Sequence, residues 1–178
     1  MNKIFIQDKY FELFIRKEKI DAVISVMAEQ MNRDLMKKDV IFLVILNGAF
    51  MFASDLLKLI TFQCMVSFLK LVSYNGASST GEITRLIGIN EDFAGKTVVI
   101  LEDVIDSGLT VQYILKQLEA CGAAEIKIAA LLLKQLNSKV QVRTDYTGFK
   151  IPGDFVVGYG LDYNGYGRNL KSIYKITN

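Results

Sequence analysis

The run Val98 to Thr110, VVILEDVIDSGLT, constrains this chain most, because it sets a buried strand, two adjacent acids and a glycine turn end to end. Val98, Val99, Ile100 and Leu101 are continuously apolar rather than alternating, the pattern of a strand covered on both faces inside a parallel sheet. Glu102 and Asp103 therefore fall at its carboxyl end, the edge where open α/β sheets meet their ligands. Asp106-Ser107-Gly108 then leads into Val111, Ile114, Leu115 and Leu118, spaced for one face of a helix. Gly108 accepts the positive φ that such a turn needs, and the first amides of the helix have no partners of their own. With the positive end of the helix dipole they make a seat for a phosphate group. A plainer account treats Asp106 or Ser107 as a helix cap with no ligand. It leaves the acid pair unexplained, since carboxylates at the end of an apolar strand need a cation or hydroxyl partners. A magnesium ion and a sugar diol would supply both.

Composition narrows the chemistry. The 178 residues are 51% apolar and 22% charged, enough for one well-buried core and most simply a single domain over 1–178. The longest apolar run, Val40 to Leu46, falls far short of the roughly 20 residues that span a bilayer. The amino terminus gathers charge at once with Lys3, Asp8 and Lys9, so neither export nor membrane insertion is expected and the expected location is cytoplasmic. Cys64 and Cys121 are too few and too far apart for a metal knuckle or a redox pair and read as reduced thiols. Histidine is absent from the sequence, which excludes Ser-His and Cys-His triads and the usual zinc sites. Acid/base work is left to carboxylates, lysine or tyrosine. A net charge of +2 gives no argument for a nucleic-acid partner.

The chain is expected to open with an amphipathic helix carrying Ile20, Val23, Ile24, Met27, Met31 and Leu35 on one side. Val40 to Leu46 reads as a buried strand, broken by Asn47-Gly48 before a helix from about Phe50 to Leu59. Extended segments follow around Cys64 to Ser73 and Glu82 to Ile89, then the strand and helix of the central run, then a strand from Ile126 to Leu133. A glycine-rich tail closes the chain, with the apolar run Phe155 to Val157. Strands alternating with helices imply an α/β fold with a mostly parallel sheet covered on both sides. Two partial motifs lead nowhere. Gly95-Lys96-Thr97 ends like a phosphate-binding P-loop but enters a strand instead of leaving one. Gly158-x-Gly160 begins like a dinucleotide fingerprint, yet Tyr163 stands where the third glycine belongs.

Glu102, Asp103, Val104, Ile105, Asp106, Ser107, Gly108, Leu109 and Thr110 follow the pattern acid-acid-x-x-Asp-Ser/Thr-Gly-x-Thr after a buried strand. This resembles the phosphoribosyl-pyrophosphate motif of the type I phosphoribosyltransferases. Four further segments, in the order found in the 6-oxopurine branch of that family, extend the resemblance over almost the whole chain. They are Leu46 to Leu57, Ser73 to Gly81, LLLK ending at Lys134, and Phe155 to Leu170. The resemblance implies a Rossmann-like, mostly parallel sheet with helices on both faces and a small hood built from terminal segments.

It also implies roles. Glu102 and Asp103 should hold the ribose diol and order magnesium, a hard cation suited to carboxylate oxygens. Ser107, Gly108, Leu109 and Thr110 should hold the 5′-phosphate, and Asp106 should exchange a proton with N7 of the purine. Lys134 should meet the purine 6-oxo group, Phe155 should stack on the base, Val156 should touch the base edge through its backbone, and Asp162 should bind a second magnesium. Asn47, Gly48, Ser73, Tyr74 and Arg168 should face pyrophosphate, with the polar stretch after Tyr74 closing as a lid. Asn47 departs from the lysine or arginine that many relatives carry there, which weakens the loop's expected grip on pyrophosphate. The reaction implied is purine salvage, transfer of the 5-phosphoribosyl group to hypoxanthine or guanine. The alternatives are a xanthine enzyme, or a regulator that binds the same donor without catalysis. Small-molecule substrates and a homo-oligomer are the expected partners.

Overall fold

The structure, a computed structural model, describes residues 3–73, 83–87, 91–135 and 142–177. In chain order its elements are β1 (Lys3–Ile6), β2 (Lys9–Ile15), α1 (Lys17–Leu35), β3 (Val40–Leu46), α2 (Phe50–Leu57), β4 (Met65–Ser73) and β5 (Ile83–Ile87). They continue as β6 (Thr97–Ile105), α3 (Leu109–Ala120), β7 (Glu125–Lys134), β8 (Tyr146–Ile151), β9 (Val156–Val157) and β10 (Ile173–Ile176). The main sheet runs β5-β4-β3-β6-β7-β8, with β4, β3, β6, β7 and β8 mutually parallel and β5 antiparallel at one edge.

The continuous apolar strands are buried on both faces, as their sequences require. In β3, Val40, Phe42 and Val44 enter a core with α1 and α2, while Ile41, Leu43 and Ile45 enter a second core with α3. In β6, Val99 and Leu101 join the first core, and Val98 and Ile100 the second. This period-two division on both central strands is what makes the fold a three-layer α/β structure. α1 presents Ile20, Ile24, Met27, Ala28, Met31 and Leu35 to the first core.

The chain does not open with a helix. A hairpin of β1 and β2 precedes α1, turning at Gln7, whose φ is 54°. Of these short strands, only Phe11 and Ile15 are buried, too little apolar periodicity to announce a sheet. The tail likewise holds two short strands, and β8 is a further strand beyond the expected set. The terminal segments meet in an antiparallel sheet of order β1-β2-β10-β9. β6 extends to Ile105, so the acid pair lies within the strand rather than just past it.

β3 and β6 are adjacent and parallel, with Val44 opposite Leu101. Their carboxyl ends therefore open on the same edge, and the loop after β3 must pass beside the acids of β6. Leu101, fully buried in the first core, anchors that end. Leu101→Ala is expected to lower stability by about 2–5 kcal/mol, read as a lower urea midpoint with an unchanged slope.

Candidate functional site

Glu102 and Asp103 sit where the central strand leaves the core. Glu102 is buried, and among the described residues its Oε2 has no hydrogen-bond partner. Burial pushes its carboxyl well above the usual range, and the neighbouring charge of Asp103 adds to the rise. The Asp103 carboxyl is raised to about 6, chiefly by burial. The N–H groups of Val104 and of Asp103 itself, with the charge of Arg168, pull it down, while Asp162 pushes it up. The backbone N–H of Val104 donates to Asp103 Oδ1 at 2.9 Å.

The loop after β3 lies directly on Asp103. A Cβ on Gly48 would stand 1.6 Å from Asp103 Oδ2, so only glycine fits between backbone and carboxylate. The peptide Leu46-Asn47 is cis, and Asn47 itself is exposed. On the far side of Gly48 a Cβ on Gly160 would come within 2.0 Å of the Gly48 carbonyl oxygen. Carboxylate, loop and tail are thus stacked with no side chain between them.

The turn from β6 into α3 has the expected form with a different cap. Gly108 is the N-cap at φ 79°, and a side-chain cap is absent. The nearest substitute is the Leu109 N–H donating to Ser107 Oγ at a long 3.4 Å. The first amides of α3 therefore stand at the end of β6 without a close side-chain cap, with the helix dipole behind them. Asp106 does not cap the helix. Its Oδ2 accepts from Lys134 Nζ at 2.9 Å, and Lys134, at the end of β7, keeps only 10% of its side chain exposed.

The tail contributes a second group. Phe155 is 43% exposed, although Phe11 and Tyr163 flank it at ring distances of 6.4 and 5.9 Å. Val156 is buried in β9, which leaves its backbone as the part able to touch a ligand. Asp162 Oδ1 pairs with Arg168 at 2.6 Å, and Asp162 Oδ2 accepts from the Gly165 N–H at 2.6 Å. Arg168 also donates to the Gly160 carbonyl at 2.7 Å. Ser73 ends β4, whereas Tyr74 and the polar stretch expected to close as a lid lie outside the described residues.

Sequence reading passed over Tyr159, which precedes Gly160, and Asp55 on α2, whose side chains are hydrogen-bonded to each other. Their one signal was an aromatic residue placed between two glycines in the tail. As for metal, no group of three or more His, Cys, Asp or Glu gathers closely enough to hold an ion among the described residues. Adjacent carboxylates, Glu102 buried with an oxygen unpartnered among the described residues and Asp103 half-buried, nonetheless suit magnesium, which commonly binds through one or two carboxylates, water and substrate phosphates. Among the described residues no helix is long and apolar enough to cross a membrane.

Comparison with known proteins matches this geometry to a family. A sequence-family model described as a phosphoribosyl transferase domain matches residues 15–164. The chain is 34% identical over 163 residues to a hypoxanthine-guanine phosphoribosyltransferase of Staphylococcus aureus, covering 91% of each. It is 38% identical over 171 residues to the hypoxanthine-guanine phosphoribosyltransferase of Cricetulus griseus, covering 88% of this chain and 78% of that one. Among solved structures, a hypoxanthine phosphoribosyltransferase from Staphylococcus aureus aligns with a TM-score of 0.88 at 34% identity. That alignment covers 93% of this chain and 91% of the other.

The acid pair makes stability depend on pH in an unusual direction. Carboxyls raised in the folded state bind protons more tightly there than in the unfolded chain, so their contribution is full at low pH and is lost as pH rises through the folded values. For Asp103 the window runs from the ordinary 3.8 to about 6, and for Glu102 it extends upward from 4.5. The ligand-free protein is expected to lose more thermal stability between pH 5 and pH 7.5, in order-of-magnitude terms, than Glu102→Gln does. Scanning calorimetry of both proteins across that range checks it, and parallel curves would remove the burial argument.

Proposed function

This chain belongs to the phosphoribosyltransferase family, and we propose that it transfers the 5-phosphoribosyl group from phosphoribosyl pyrophosphate to hypoxanthine or guanine. The products are the purine 5′-monophosphates IMP or GMP, and pyrophosphate. The observation that carries the reading is the acid pair at the sheet's carboxyl edge, Glu102 buried and Asp103 half-buried, with Glu102 Oε2 unpartnered among the described residues. A ribose diol donates to such oxygens, which replaces the hydration they lost on folding.

Glu102 and Asp103 hold the ribose hydroxyls. The amides of Ser107, Gly108, Leu109 and Thr110, with the hydroxyls of Ser107 and Thr110, hold the 5′-phosphate. Asn47 and Gly48 on one side and Arg168 on the other meet the pyrophosphate, and the resemblance gives Ser73 and Tyr74 the same role. Glu102, Asp103 and Asp162 are the carboxylates that would hold magnesium, which when bound neutralises charge on the leaving pyrophosphate. The bond from the anomeric carbon to pyrophosphate breaks with its electron pair leaving on oxygen, and N9 of the base bonds to the oxocarbenium-like centre.

Base recognition is supported by the spacing of Lys134 and Asp106. The 6-oxo group and N7 share one edge of a 6-oxopurine. A cation and a carboxylate 2.9 Å apart match that edge, Lys134 donating to the oxygen and Asp106 taking the proton from N7 as N9 reacts. Adenine has an amino donor where Lys134 needs an acceptor. Phe155 stacks on the base face, and the backbone of Val156 meets its edge. The small terminal sheet carries Phe155 and acts as the hood over the base. Catalysis rests on positioning and on electrostatic stabilisation of the leaving group.

The same proposal takes the whole chain as one cytoplasmic domain without a nucleic-acid or membrane partner. It takes the assembly as a homo-oligomer, supported by exposed Met65, Val66 and Phe68 along β4.

Incubating the protein with the sugar donor, magnesium and each of hypoxanthine, guanine, xanthine and adenine tests the reading. Nucleotide from hypoxanthine or guanine is expected, with none from adenine. Failure to form nucleotide with all four bases would favour a donor-binding regulator. Asp106→Asn is expected to lower turnover by about a hundredfold or more while keeping fold and donor affinity, following the usual worth of general acid–base catalysis. Single-turnover kinetics check it, and near-parental turnover would remove the proton-transfer role.

A further inference from the structure

The pair Tyr159 and Asp55 lies beside the site, and the reaction above gives it no part. Tyr159 is fully buried yet has a φ of 52°, between Gly158 and Gly160, each at 101°. Such a conformation is strained for a non-glycine residue, so its surroundings must hold it. The Tyr159 N–H donates to Leu170 O at 2.8 Å, and the Gly160 N–H to Arg168 O at 2.9 Å. The tail therefore crosses the Gly48 loop backbone on backbone, and at the crossing itself no polar side chain among the described residues joins the two.

A side chain does so from next door. The Tyr159 hydroxyl donates to Asp55 Oδ2 at 2.7 Å. Asp55 lies on α2, which runs on directly from the Asn47-Gly48 loop through the Ala53 N–H to Ala49 O bond of 2.8 Å. Lys58 holds the other Asp55 oxygen at 2.9 Å, and Lys17, itself paired with Asp21, approaches Oδ2 at 3.5 Å. Burial and the Asp55 bond both raise the Tyr159 hydroxyl above its ordinary value, so it remains a donor. We propose that Tyr159, through its hydrogen bond to Asp55, is a positioning residue that holds the Asn47-Gly48 loop in register with the Asp162 to Arg168 segment. These are the two sides from which pyrophosphate is gripped, and that last step rests on the transferase reading.

Tyr159→Phe keeps the ring and leaves Asp55 with Lys17 and Lys58, so no carboxylate is stranded and the fold should survive. Two measurements on the full chain decide the matter. By hydrogen-exchange mass spectrometry, amides of 46–51 and 158–163 should exchange about fivefold or more faster in the variant, while those of 98–105 keep the parental rate. In steady-state assays KM for phosphoribosyl pyrophosphate should rise about tenfold, with kcat and KM for hypoxanthine within about twofold, the scale of one hydrogen bond to a charged group. Asp55→Asn, which retains an acceptor, should stay near the parent, and Asp55→Ala should reproduce Tyr159→Phe. Parental exchange at both loops, or an unchanged donor KM in an active protein, would overturn the proposal. A parental protein that forms no nucleotide would instead sink the transferase reading, and the exchange rates would still judge the latch.

Discussion

The site is organised by a contact that only a missing side chain permits, the approach of Gly48 to the Asp103 carboxylate. Parallel pairing of β3 with β6 brings both carboxyl ends to one edge, and the chain leaving β3 has to turn where β6 carries its acids. A Cβ at Gly48 would overlap Asp103 Oδ2, and one at Gly160 would overlap the Gly48 carbonyl. With both absent, carboxylate, loop and tail lie within van der Waals reach. The direction of α2, the place of Asp55 and the seat of the tail then follow from that stack.

Electrostatics turns the arrangement into a binding edge. The sheet supplies apolar neighbours on both faces of β6, so the carboxyls of Glu102 and Asp103 give up hydration without gaining full partners. Other charges near the edge are already matched, Asp106 by Lys134 and Asp162 by Arg168. The acid pair is therefore where a ligand with hydroxyls or positive charge has most to contribute. Local rules broken inside an otherwise consistent core are what a functional site looks like in physical terms.

What the sequence made legible follows from how local each signal is. β3 could be bounded at Val40 and Leu46, and the turn at Gly108 could be placed, because a continuous apolar run and a glycine before a helical period each declare themselves within a few residues. Lys134 was legible as the charge that ends an apolar strand. The hairpin before α1 was not, since it buries only Phe11 and Ile15 and depends on β10, from the other end of the chain. The contacts of Gly48 with Asp103, Gly160 with Gly48 and Tyr159 with Asp55 were hidden for the same reason: each joins residues distant along the chain. Spacing alone carries no information about them.

Asn47 sharpens the physical question at the pyrophosphate side. A lysine or arginine there would bring charge to the ligand from a flexible side chain, tolerant of small errors in loop position. Asparagine offers only dipoles, and the loop's remaining means are backbone amides, whose worth falls steeply with distance and angle. The cation whose charge reaches Asp103 is Arg168, tethered to Asp162 and to the Gly160 carbonyl on the tail. In the proposed reaction, charge comes from one side of the cleft and amide geometry from the other. A chain built this way has exchanged long-range attraction for register, which places the demand on the backbone stack at Gly48 and Gly160 and on the hydroxyl that braces it.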